Sequence, residues 1–127
     1  MLPQTAGQKH VLVVEDDRRL RELYRSALQS DGFFVIAVDD GFAALRAVEN
    51  ERPLAVVLDL DLPRLGGRDV EQELRSRPTT QHIPIIVVTG TEIPVTHQFR
   101  HFLQKPVDVE RLVAAVRRAI HDSAPHA

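Results

Sequence analysis

The sequence has no cysteine and no tryptophan among its 127 residues. Without cysteine it forms no disulfide and no thiolate metal site, which fits a reducing compartment; cytoplasm is the expected location. Aromatic residues make up only 5% of the chain, too few for the stacking platforms that hold single-stranded nucleic acid. Neither sign of charge prevails, since 16 Lys and Arg stand against 18 Asp and Glu for a net charge of -2. A basic footprint for direct nucleic-acid binding is therefore missing. No apolar run is long enough to span a bilayer, so no membrane insertion is expected. Residues 1–9 (MLPQTAGQK) lack the apolar centre of a secretion signal. The length suits one domain with a core that needs no covalent staple.

What is present is an alternation of strand and helix patterns. His10 to Val14 reads as a first strand, closed by Glu15-Asp16-Asp17. Leu20, Leu23, Tyr24, Ala27 and Leu28 then recur at helical spacing, and Asp31-Gly32 gives a stop. Phe33 to Val38 is a second strand, and Ala44, Leu45 and Val48 mark a helix ending before Pro53. Leu54 to Leu58 is a third strand, running into Asp59 and the loop Leu60-Asp61-Leu62-Pro63-Arg64-Leu65-Gly66-Gly67. A helix with Val70 and Leu74 inward ends by Pro78; Ile83 to Val88 is a fourth strand, ending in Thr89-Gly90. Phe102 to Gln104 forms a short fifth strand before Lys105-Pro106, and Val109, Leu112, Val113, Val116 and Ile120 lie along a last helix. Short, nearly continuous apolar strands fit a parallel sheet covered on both faces. Alternating βα units make it a doubly wound α/β sandwich, and right-handed crossovers bring the loops after the strands to one edge. Ligands bind there, where the strand order reverses.

That edge would collect Glu15, Asp16, Asp59, Thr89 and Lys105. Crowded carboxylates repel one another and raise each other's pKa; a hard divalent cation relieves this, and oxygen ligands suit magnesium, with manganese as a substitute. A carboxylate can also attack phosphorus to form an acyl phosphate, with positioning and charge neutralisation as the main catalytic devices. Lys105 supplies a compact positive charge and Thr89 a hydroxyl. Taken singly, each feature has a plainer reading: Asp17 as a helix cap, Asp59 as a turn residue, Thr89 as a strand end. The six histidines show no metal-binding spacing and read as surface or loop residues. Arg18, Arg21 and Arg25 read as a solvated helix face, with partner docking as the functional alternative. Pro106 is free to take the cis form.

The set Val14-Glu15-Asp16-Asp17, Asp59-Leu60-Asp61-Leu62-Pro63 with Gly67, Thr89-Gly90 and Lys105-Pro106 resembles the receiver domain of two-component response regulators, of the chemotaxis-regulator kind. The resemblance runs from about residue 9 to 121; residues 1–8 and 122–127 are expected to be a flexible segment and a tail. It implies a flavodoxin-like, five-stranded parallel sheet in order 2-1-3-4-5 flanked by five helices. It implies Asp59 as phosphoacceptor, Asp16 and Asp59 as magnesium ligands, Glu15 as a ligand through water, and the main-chain carbonyl of Asp61 as a further ligand. Thr89 and Lys105 match the switch hydroxyl and the phosphate-binding lysine, and Phe102 the aromatic residue that swings inward on activation. The implied partner is a histidine kinase or a histidine phosphotransfer protein. The downstream target is open, and the chain is expected as a monomer or weak homodimer. Such a domain catalyses only its own phosphorylation and dephosphorylation and is not otherwise an enzyme.

The chain is expected to be a stand-alone receiver, with a receiver module of a larger hybrid kinase or regulator as the alternative. A receiver fold that no longer takes phosphate is another. A further alternative is a haloacid-dehalogenase-like phosphatase using Asp59 and Asp61, although that motif belongs on a first strand and the second Asp is usually followed by Thr. Relative to the family, the stretch between Thr89 and Lys105 is short, and Pro94 falls within Thr91-Glu92-Ile93-Pro94-Val95-Thr96-His97-Gln98. Proline disfavours a helix interior, so the fourth helix is expected to be short or irregular. Gly90, beside the switch threonine, is expected to leave Asp59 open to water. Fast amide hydrogen exchange across residues 91–98 is the expected outcome; slow exchange there would contradict the shortened-helix reading.

Overall fold

The computed structural model describes residues 10–90 and 99–123. In chain order they form β1 (His10–Val14), α1 (Arg18–Ser30), β2 (Phe34–Val38), α2 (Gly41–Glu51), β3 (Ala55–Asp59), α3 (Gly67–Ser76), β4 (Ile85–Thr89), β5 (His101–Gln104) and α4 (Val109–Ser123). The fourth helix expected from the sequence falls on residues 91–98, outside the described residues, as do 1–9 and 124–127. Here α4 is the helix that follows β5.

The five strands form one parallel sheet in order β2-β1-β3-β4-β5, as expected. Strand side chains alternate between faces, and this divides the core in two. Val11, Val13, Val57, Ile86 and Val88 meet Tyr24 and Leu28 of α1 and Leu112 and Val116 of α4 on one face. Leu12, Val14, Val56 and Leu58 meet Ala44 and Val48 of α2 and Val70 and Leu74 of α3 on the other. Every residue of β3 is buried. The edge strand β2 is only half covered, with Phe34 exposed, so the expectation of cover on both faces holds for the centre of the sheet and weakens at its rim.

Local chemistry sets the boundaries. The Asp17 carboxylate accepts from Leu20 N at 3.1 Å and caps α1. Gly32 ends the helix at φ 98°, and the Phe33 N–H returns to Leu28 O, a helix end that favours glycine. Strand four begins at Ile85 rather than Ile83. Pro84 has no N–H to give a ladder, and the Ile83 N–H is taken by Thr80 O. The last helix runs to Ser123, past the expected boundary at residue 121. His10 and His101 are half-buried strand residues, not loop residues; His10 packs its ring on Phe34 at 5.9 Å.

Parallel pairing puts all strand C-termini at one edge. Val14 is level with Leu58, Asp59 with Val88, and Thr89 with Gln104. The chain turns outward in opposite directions from β1 and β3, so this edge holds the crevice of a doubly wound sheet. Leu12 is fully buried at its centre. Leu12→Ala should lower the urea-derived unfolding free energy by about 3 kcal/mol; a loss under about 1 kcal/mol would contradict this packing.

Candidate active site

Glu15, Asp59, Thr89 and Lys105 all stand at or just beyond the ends of strands, and the structure brings their segments together. The Lys105 Nζ lies 2.7 Å from Glu15 Oε1 and 3.3 Å from Asp59 Oδ2. Glu15 and Asp59 are 1% and 3% exposed, so the ammonium is the charge that makes their burial tolerable. Asp16 is exposed beside them, and carboxylate oxygens of Glu15, Asp16 and Asp59 lie within 4.8 Å of one another. The Lys105 backbone is fixed by its N–H to Thr89 O at 2.9 Å, and the Lys105–Pro106 bond is cis. Thr89 is fully buried. Phe102 is half-buried on β5, packed against the cluster of Leu60, Val87 and Phe99.

Electrostatics at the site follow from burial against pairing. Burial pushes the Glu15 carboxyl up to about 7 and the Asp59 charge adds to this, while Lys105 and the Asp17 N–H pull it down. For Lys105, burial works downward, but Glu15 and Asp59 outweigh it and hold the ammonium above its ordinary range. Glu15 Oε2 accepts from Asp17 N at 3.0 Å. Its Oε1 has the ionic contact with Lys105 and, among the described residues, no aligned hydrogen bond. A buried carboxylate oxygen without an aligned donor, inside an all-oxygen cluster, fits a divalent cation and its bound water.

Two further residues support these groups. The first is Arg21, which donates from Nη1 to the carbonyls of Glu15 at 3.0 Å and Asp16 at 3.3 Å. The sequence pattern predicts a solvated face for Arg21; instead it ties α1 to the acidic loop. The second is Gly67, at the start of α3. A Cβ there would strike Asp59 O and come within 2.5 Å of Leu60 Cα, so only glycine lets α3 start so close under the Asp59 backbone. The Asp61 N–H donates to Asp59 Oδ1 at 3.1 Å, orienting that carboxylate from the loop that follows it. Asp61 itself is exposed. Gly90 is exposed, and among the described residues a Cβ there would meet Lys105 side-chain carbons at 3.9 Å.

A doubly wound parallel sheet whose carboxyl edge gathers three carboxylates, a buried threonine and a paired lysine defines a receiver-type signalling domain. The family model for the response regulator receiver domain matches residues 11–117, and the chain belongs to that family. Response regulator MprA of Mycobacterium sp. (strain KMS) is 38% identical over 122 residues, covering 91% of this chain and 52% of that protein. MprA of Mycobacterium leprae is 36% identical over the same span. The chain thus spans about half the length of the curated relatives it matches. A sensor protein from Polaromonas sp. JS666 superposes with a TM-score of 0.84 at 28% identity, covering 96% of this chain and 100% of that one. The receiver domain of a sensor histidine kinase from Pseudomonas aeruginosa, with a magnesium ion coordinated in its active-site cleft, gives 0.82 at 27% identity and covers 91% and 99%. The phosphatase alternative is not favoured: the Asp59-Leu60-Asp61 motif follows the third strand, not the first.

Between pH 4.5 and about 7 the folded state keeps a proton on Glu15 that the unfolded state has lost. Stability therefore falls as pH rises through that window. Glu71, also raised by burial, slopes the same way. In chelator-treated protein, Glu15→Gln should flatten the fall in denaturation midpoint across this window. An unchanged slope in the variant would contradict the burial argument.

Proposed function

We propose that Asp59 is the phosphoacceptor of a two-component phosphorelay, charged by a phosphohistidine on a histidine kinase or a histidine phosphotransfer protein. The observation that carries this reading is the Lys105 ammonium held between Glu15 and Asp59 at 2.7 and 3.3 Å. In the transfer, an Asp59 carboxylate oxygen attacks phosphorus. The phosphorus–nitrogen bond breaks, its electron pair returns to the imidazole, and the imidazole takes up a proton. Lys105 neutralises charge on the transferred group as a compact donor, and Thr89 donates its hydroxyl to it. Hydrolysis reverses the state: water attacks phosphorus, inorganic phosphate leaves and the carboxylate is restored.

Glu15, Asp16 and Asp59 would hold the cation, with the main-chain carbonyl of Asp61 as a further ligand. When bound, the cation neutralises the carboxylates and the incoming phosphoryl oxygens. Magnesium is the proposed ion, since it is satisfied by one or two carboxylates and water; manganese has no observation in its favour. The readout is a packing change: Thr89 moves toward the phosphoryl group and Phe102 turns into the space behind it. The receiver unit is taken as residues 9–121, the location as the cytoplasm, and the chain as a signalling component rather than a turnover enzyme. Its output is contact with a protein target, by a monomer or a weak homodimer.

Asp59→Asn should abolish magnesium-dependent, acid-labile labelling by acetyl phosphate. Labelling of the variant at the level of the parent protein would overturn the assignment, and catalytic turnover of phosphomonoesters would favour the phosphatase alternative.

A further inference from the structure

The loop after Asp59 is tied to a second loop of the sheet edge, one to which the reading above gives no role. Arg64 sits in the middle of that loop with φ 65°, a left-handed conformation that costs a side-chain-bearing residue free energy. Among the described residues, Arg52 is the other non-glycine residue with positive φ. Arg52 is accounted for: it is the left-handed C-cap of α2, and its N–H returns to Val48 O. Arg64 caps no helix.

What Arg64 does have is a partner. Its Nη2 donates to Asp40 Oδ2 at 2.8 Å, across 24 positions of sequence. Asp40 is 8% exposed and already committed: its Oδ1 accepts from Ala43 N at 2.9 Å and caps α2. One carboxylate thus binds a helix N-terminus with one oxygen and the Asp59 loop with the other. The Ala43 N–H, first, and the Arg64 guanidinium hold it below the ordinary carboxylate range. The neighbouring backbone agrees. A Cβ on Gly41 would strike Leu65 O and lie 2.8 Å from Leu65 Cβ, so the first residue of α2 rests on the residue after Arg64. Leu62 and Leu65 pack into the core on the same face as α2 and α3. The loop therefore has three anchors: Gly67 under Asp59 at its end, two leucines in the core, and Arg64 on Asp40.

We propose that Asp40 and Arg64 are positioning residues for the cation site. The pair holds Arg64 in its left-handed turn, and so fixes the backbone between Asp59 and Gly67 that carries Asp61. This rests on the assignment of Glu15, Asp16 and Asp59 as the cation site. Neither Asp40 nor Arg64 touches the cation; they act through the loop. The Arg64 side chain is 66% exposed and that of Asp40 12%; with the guanidinium largely in water, the pair adds little to global stability. The pair's effect is therefore local: loop order and cation affinity change while the melting temperature does not.

The test is a double-mutant cycle of Arg64→Ala and Asp40→Asn, with Asp59→Asn as a control; asparagine keeps the helix cap. Magnesium affinity is read by calorimetric titration, and amide exchange of Leu62, Leu65 and Gly66 is read in metal-free protein. Each single variant should weaken magnesium binding about three- to tenfold, speed exchange in the loop, and melt within a few degrees of the parent. The double variant should be no worse than the weaker single one, because the two residues act as a unit. Parent-like affinity and exchange in Arg64→Ala would overturn the proposal, as would losses that add in the double variant. If Asp59→Asn binds magnesium as tightly as the parent, the site assignment itself fails and the proposal with it. If Asp59→Asn alone loses binding, the site stands and only the positioning role falls.

Discussion

The arrangement depends on one ammonium group held by two buried carboxylates. Lys105 arrives on the fifth strand, Glu15 follows the first and Asp59 ends the third, and they meet at 2.7 and 3.3 Å. Removing a carboxylate from water is costly unless its charge is matched, and at this edge the match comes from a residue distant in sequence. The same contact joins the end of the sheet to its middle. It also leaves more carboxylates at this edge than one ammonium can match, which suits the cluster to a divalent cation.

The surrounding fold keeps that edge rigid. Parallel registration brings four strand ends level, and two core layers cover the sheet from either side. The two parts of the proposed switch differ in burial. Thr89 is fully buried at the end of a central strand, whereas Phe102 is half-buried on the edge strand β5. A change at Asp59 would thus pass from a stiff centre to a looser edge. Arg21 on one side and Asp40 with Arg64 on the other brace the two loops that border the carboxylates.

Much of this was legible in the sequence, for reasons that also explain what was not. Strand ends are marked by apolar runs meeting turn chemistry, so Glu15, Asp59, Thr89 and Lys105 could be placed at one edge once the strands were taken as parallel. Asp17 stood out as a cap because capping is local. The apolar pattern extends the strand before Thr89 two residues too far because Ile83 is apolar, although Pro84 follows it. Arg21 looked solvated because its guanidinium reaches backbone carbonyls, which carry no sequence signature. The second partner of Asp40 lies 24 residues away, beyond the reach of any local rule. Gly41 and Gly67 are required by backbone contacts made only after the chain has folded. Local rules revealed the groups that line the site, and not the long-range contacts of Arg21 and Asp40 that hold its loops in place.

The central claim is that separate chain segments converge on one cation at this edge. Paramagnetic broadening by substoichiometric manganese, followed residue by residue in backbone amide spectra, tests it most directly. The account predicts loss of signal confined to the neighbourhoods of residues 15–17, 59–61, 89–90 and 105, reversed by excess magnesium. Broadening spread over the exposed acidic residues, or centred on another edge of the sheet, would contradict it.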